Sequence, residues 1–189
     1  MARALLAVVV VLALCGPASA RVSERSFSGH SAAAGSRNVA GAVGISGLSN
    51  LEQQVVTALN QQRIRRGLVP LRVNRRLAVA ARGHSVSMAE HGYFAHESFD
   101  GSAFWVRIKA AYPALRGRSW AAGENLAWAS PDLTAAEAVD MWMHSPQHRQ
   151  NLLTPRWREV GIGGVRAIAA SGVYEGLDVT ILTADFGVR

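Results

Sequence analysis

Residues 120–153 read WAAGENLAWASPDLTAAEAVDMWMHSPQHRQNLL, and the punctuation inside this stretch decides the fold. Glu124 stands between Gly123 and Asn125, and a short apolar run, residues 126–129, follows. Glycine lets the backbone come close to a neighbour, and so short an apolar run suits a buried strand. Glu124 is therefore expected at the boundary of that strand, with its carboxylate facing a cleft. Thr134 and Glu137 form a capping box, and Ala138, Val139, Met141 and Trp142 make the inward face of the helix it opens. Pro146 ends that helix at Ser145 or before, so His148 begins a new turn over residues 147–153. His144 and His148 stand four apart, the spacing of a His-Glu-x-x-His zinc helix. Ser145 takes the place of the glutamate that would act as base, however, and Pro146 breaks the helix that would align the imidazoles.

Working outward, 189 residues suffice for one well-buried domain and are few for two. The first 20 residues stand apart. Arg3 is a brief basic start, residues 4–15 are an apolar core, and Ala18-Ser19-Ala20 is a small-residue cleavage site. That is the pattern of a secretory signal peptide, too short to anchor the chain across a bilayer. Leu14 is bulky where lipidation at Cys15 wants a small residue, which favours soluble release, extracellular or periplasmic. Cleavage after Ala20 removes Cys15, the one cysteine, so the exported domain is stabilised by its core alone. It also lowers the net charge from +7 to +6, and Lys109 is the single lysine among twenty basic residues.

Residues 21–48 are rich in Ser, Gly and Ala without apolar periodicity and read as a flexible leader, with His30 a solvated linker residue. The domain proper is expected over residues 49–189. Ser49 and Glu52 form a second capping box, and Leu51, Val55, Val56, Leu59 and Ile64 mark a helix stopped by Gly67. Asn74 caps the next helix, which runs through Leu77, Ala80, Ala81, His84, Met88 and His91 to Gly92. His84 and His91 share a face; packing explains them better than ligation, since no acid stands at matching spacing. His96 lies past that stop and before the Asp100-Gly101 turn, on an irregular segment of the kind that carries functional groups. A short amphipathic helix over residues 103–111 and a loop to residue 122 follow. Two antiparallel strands, residues 159–165 and 173–188, meet at a turn near Ala170-Ser171-Gly172. Helices lead and strands trail, so the fold class is α+β, with helices packed on a small antiparallel sheet.

Between Glu52 and Glu90 the chain has no acid, yet it carries Arg63, Arg65, Arg66, Arg72, Arg75, Arg76 and Arg82. Such clustering makes either a solvated face or a patch for anionic lipid or polysaccharide. Aromatic residues do not interleave with the arginines, so nucleic acid is not indicated.

Five motifs in shared order carry a resemblance. They are Leu59-Asn60-Gln61-Gln62-Arg63, His96-Glu97-Ser98-Phe99-Asp100-Gly101, Gly123-Glu124-Asn125-Leu126, Trp142-Met143-His144-Ser145-Pro146-Gln147-His148-Arg149-Gln150-Asn151-Leu152-Leu153 and Val160-Gly161-Ile162-Gly163. From about residue 60 to 186 the chain resembles the CAP superfamily of cysteine-rich secretory, antigen 5 and pathogenesis-related proteins, in its bacterial, cysteine-free SCP-like branch. The resemblance implies a three-layer α-β-α sandwich with a central cleft lined by two histidines and two glutamates. By position it places His96 and His148 as the histidines and Glu124 as one glutamate, with Asn125 beside it. The fourth position falls on Ser145, which leaves the tetrad incomplete.

Three functions follow, in order of preference. The first is a secreted module that binds a ligand or partner, lipid or cell-envelope material, in or beside the cleft. The second is a metal-assisted hydrolase, in which His96 and His148 hold a divalent ion such as zinc and Glu124 moves protons. The third is a cationic envelope-interaction protein acting through the arginines of residues 63–82. No single enzymatic activity is shared across the family, and a His/Glu cluster can equally be a hydrogen-bonded network that fixes the walls.

Overall fold

A computed structural model describes Ser46, Gly47 and residues 49–189. The signal-like segment, Cys15, His30 and nearly all of the leader lie outside the described residues. Five helices sandwich one sheet, as the sequence predicts. In chain order the elements are β1 (Ser46–Gly47), α1 (Ser49–Ile64), β2 (Arg72–Val73), α2 (Arg75–His91), α3 (Phe104–Ala111), β3 (Ala121–Ala129), α4 (Ala135–His144), α5 (Pro146–Leu152), β4 (Glu159–Ala170) and β5 (Leu177–Val188).

The sheet order is β1-β4-β5-β3, antiparallel throughout, while the two-residue β2 pairs with β4 in parallel. The sheet is therefore mixed rather than purely antiparallel, and it takes in two residues upstream of the predicted domain start. Side-chain alternation along the strands sorts the helices into two layers. Val160, Ile162, Leu182, Ala184, Phe186, Ala127 and Ala129 pack with α1, α4, α5 and Trp157 on one face. Leu126, Trp128, Val165, Ala167, Val179 and Ile181 pack with Met88 and Ala89 of α2 and with Tyr174 on the other. Leu77, Phe104, Ile108 and Tyr112 extend that second layer to α3.

The helix signals hold in detail. Asn74 Oδ1 accepts from the backbone N–H of Arg76 at 2.9 Å, and Gly92 closes α2 at φ 66°, a left-handed conformation that glycine adopts without strain. The Thr134–Glu137 box is reciprocal, and α4 ends at His144 before Pro146 opens α5. Glu52 turns its carboxylate elsewhere, accepting from the N–H of Gly164 in β4 at 2.9 Å.

Gly161 and Gly163 set how closely α2 lies on the sheet. A Cβ at Gly161 would overlap the backbone of Leu77 and Ala78, and one at Gly163 the backbone of Ala81 and Arg82. Only a residue without Cβ allows this approach. It brings Ser85 Oγ within 2.9 Å of the Gly163 carbonyl and 2.8 Å of Thr183 Oγ1.

Candidate functional site

Glu124 lies in the middle of β3 rather than at its boundary. β3 pairs with β5 over its whole length, from Ala121 opposite Val188 to Ala129 opposite Thr180, so the strand begins five residues before the apolar run. The run alone shows where the strand is apolar; the paired partner decides how long it is. In this ladder Glu124 stands directly across from Asp185, and Asp185 stands across from Gly161 on its other side.

Three cationic or titratable groups close over the two acids. His96 places Nδ1 2.7 Å from Glu124 Oε1, and Arg107 of α3 holds Glu124 Oε2 through Nη2. The same guanidinium donates through Nη1 to the His96 carbonyl at 3.0 Å, which fixes the irregular segment that carries the histidine. His84 of α2 lies on the same side, with Nε2 2.9 Å from the Ala95 carbonyl.

Burial acts to raise the Glu124 carboxyl, but the His96 hydrogen bond and the charge of Arg107 outweigh it and hold that carboxyl below its ordinary range. Burial, then the neighbouring charge of Glu124, pushes Asp185 well above its ordinary value. Among the described residues neither oxygen of Asp185 has a hydrogen-bond partner. Burial pushes His84 down to about 4, against the pull of Glu124. The cluster is thus centred on the ion pair of Glu124 with Arg107, while burial favours the neutral forms of Asp185 and His84.

The remaining predicted residues gather where α5 meets β3. Asn125 points oppositely to Glu124 along the strand and is fully buried; its Nδ2 donates to the His148 carbonyl at 3.0 Å, and its Oδ1 accepts from Asn151 at 2.9 Å. Asn125 thus pins β3 to α5. His148 is buried on α5, with Nδ1 2.9 Å from Ser145 Oγ, so the serine at the fourth tetrad position is bonded to the histidine three residues on. The structure brings His96 and Glu124 together and packs α5, which carries His148, against β3, where Asn151 Nδ2 donates to the Glu124 carbonyl at 3.0 Å.

A zinc shell needs three or four ligands converging on one point, and among the described residues no group of three His, Cys, Asp or Glu does so. The Glu124 carboxylate is instead paired with the guanidinium of Arg107. The residues as placed do not fit a metal centre.

Among the cationic candidates, Arg63 needs correction: it is fully buried and donates to the carbonyls of Val69, Leu152 and Thr154, at 3.0, 2.7 and 3.1 Å. Arg82 lies 3.4 Å from Glu52, while Arg65, Arg66, Arg72, Arg75 and Arg76 are exposed.

The model of the CAP family, described as cysteine-rich secretory protein family, matches residues 56–174, more than half of the chain. The chain belongs to the cysteine-rich secretory protein family. Among CAP relatives it is 33% identical over 122 residues to "Uncharacterized protein YkwD" of Bacillus subtilis, covering 65% of this chain and 45% of the relative. It is 32% identical over 112 residues to "Uncharacterized membrane protein YlbC" of the same organism, covering 59% and 31%. The chain thus spans less than half the length of either. Of solved structures, an extracellular SCP-domain protein from Bacillus anthracis superposes with TM-score 0.58 at 26% identity, covering 75% of this chain and 41% of that one. An outer surface protein from Borrelia burgdorferi superposes with TM-score 0.56 at 20% identity, over 76% and 98%, and shares the fold.

Sequence reading missed Asp185 and Arg107 of this CAP site and assigned His84 to packing. Asp185 left one signal: it is the acid inside the apolar run Thr183-Ala184-Asp185-Phe186, where a buried charge demands a reason. Arg107 and His84 left none, because Glu124, the acid they face, is remote from both in sequence.

Proposed function

We propose that this CAP domain is exported and works by binding lipid or cell-envelope material, with its His96–Glu124–Arg107–Asp185 cluster serving as framework. One observation carries the reading: the Glu124 side chain is 1% exposed, and both of its oxygens are taken, by His96 and Arg107. A general base must reach a substrate proton within about 3 Å, and a carboxylate clamped beneath two side chains has no such reach. A paired buried charge of this kind instead locks the packing of the segments that hold it. Export is supported by the signal-like residues 1–20 and by two similar structures described as extracellular and outer surface proteins. Among the described residues no helix is long and apolar enough to cross a membrane.

The test is mass spectrometry of extracts from the natively produced chain, beside metal analysis and a panel of lipids and envelope glycans. A co-purifying or panel ligand is expected, with no stoichiometric zinc. Hydrolysis of an ester or amide that needs His96 and Glu124 would replace this reading with the hydrolase, and a chain that binds nothing in either class would end it.

A further inference from the structure

Between α1 and the start of α4, on the sheet face opposite Glu124, the surface opens into a hollow of about 480 Å³, within the range of about 300–1,000 Å³ for small-molecule sites. Gln53, Gln54, Thr57 and Gln61 line its α1 side. All four are exposed, and their spacing lays them along one stripe of the helix.

The stripe is uncharged in a chain of net charge +7. Exposed helix faces usually carry charge, and here the two charged residues of α1 turn away: Glu52 to the Gly164 N–H and Arg63 to buried carbonyls. Among the described residues the side-chain amides of Gln53, Gln54 and Gln61 bond to no other group of the chain. Each therefore presents two donors and one acceptor oxygen to whatever enters. Ala58 and Ala135 supply small apolar contacts beside them.

This lining selects by chemistry. An ion finds no countercharge. An acyl chain would bury the amides without partners, at about 1–3 kcal/mol for each polar group. An extended peptide needs a strand edge or side-chain pockets, and a wall of two helices offers no strand edge. A sugar ring fits both features, with an apolar C–H face for the alanines and a rim of hydroxyls that donate and accept. We infer that the hollow is a binding subsite for a short, uncharged oligosaccharide. The inference rests on the binding function proposed above and names its ligand class.

The experiment is a nuclear magnetic resonance titration of the purified full chain with neutral oligosaccharides, using tetramers of N-acetylglucosamine, glucose and mannose, and with fatty acid in parallel. Shifts are expected to concentrate on the side-chain amides of Gln53, Gln54 and Gln61. Gln54→Ala and Gln61→Ala are each expected to weaken binding about fivefold, the worth of one hydrogen bond, with unchanged thermal melts. Sugar binding whose shifts fall elsewhere, or which both variants retain in full, overturns the site while the binding function stands. Fatty acid binding without sugar binding overturns the ligand class and likewise leaves that function. Failure of every ligand overturns both.

Discussion

Two carboxyls facing each other across a buried ladder cannot both ionise cheaply, and the surroundings of Glu124 and Asp185 decide which one does. Arg107 and His96 touch Glu124, so the charge is favoured there and Asp185 is held toward its neutral form. Because the folded value of Asp185 lies above its unfolded one, its stabilising contribution is complete below pH ~4 and lost as pH rises through the folded value. Asp185→Asn keeps the shape and removes that loss, so urea midpoints measured from pH 4 upward should fall less steeply in the variant than in the parent. His84 acts with the opposite slope. Its folded value of about 4 lies below the ordinary value of 6.5, so stability is complete above pH 6.5 and drops by about 3 kcal/mol as pH falls to 4. His84→Gln should flatten that acid limb, which the same melts would show. Arg107→Met leaves Glu124 charged, buried and unpaired on one side, a loss of about 3–5 kcal/mol. Adding Glu124→Gln should recover most of it; a double-mutant cycle without coupling would mean that the pair does not hold the cluster.

At the scale of elements, the site depends on how α2 meets β4. Gly161 and Gly163 let the helix backbone rest on the strand, which lowers His84 and Ser85 onto the ladder. Gly163→Ala must push α2 outward, so a loss of about 3 kcal/mol is expected, as for overpacking in a tight core, and thermal melts would show it. Helix signals were fully legible because they are local: a cap, a stop and a periodic face lie within a few residues of one another, as Asn74 to Gly92 and Thr134 to Pro146 show. The true start of β3 was not, because Ala121, Ala122 and Gly123 become strand through pairing with Val188, Gly187 and Phe186. Nor was the role of Arg63 legible. A cationic residue on a helix reads as surface until the chain returns with Leu152 and Thr154 to offer it carbonyls.

For the whole molecule, charge is unevenly spread. With Arg63 buried and Arg82 beside Glu52, the free cationic surface of this stretch comes down to Arg65, Arg66, Arg72, Arg75 and Arg76. These should give salt-sensitive adsorption to anionic vesicles, released as the screening length falls from about 10 Å at 0.1 M salt to about 3 Å at 1 M. Co-sedimentation checks this, and Arg72→Glu/Arg75→Glu/Arg76→Glu should abolish it. The sequence by itself determined the family, the α+β class and most helix boundaries, since motif order and local periodicity survive without coordinates. Only the tertiary structure decided the membership of the site. It added Arg107, Asp185 and His84, because pairing of β3 with β5 and the packing of α2 and α3 bring residues distant in sequence to the Glu124 side of the sheet, and only the packed layers show which they are.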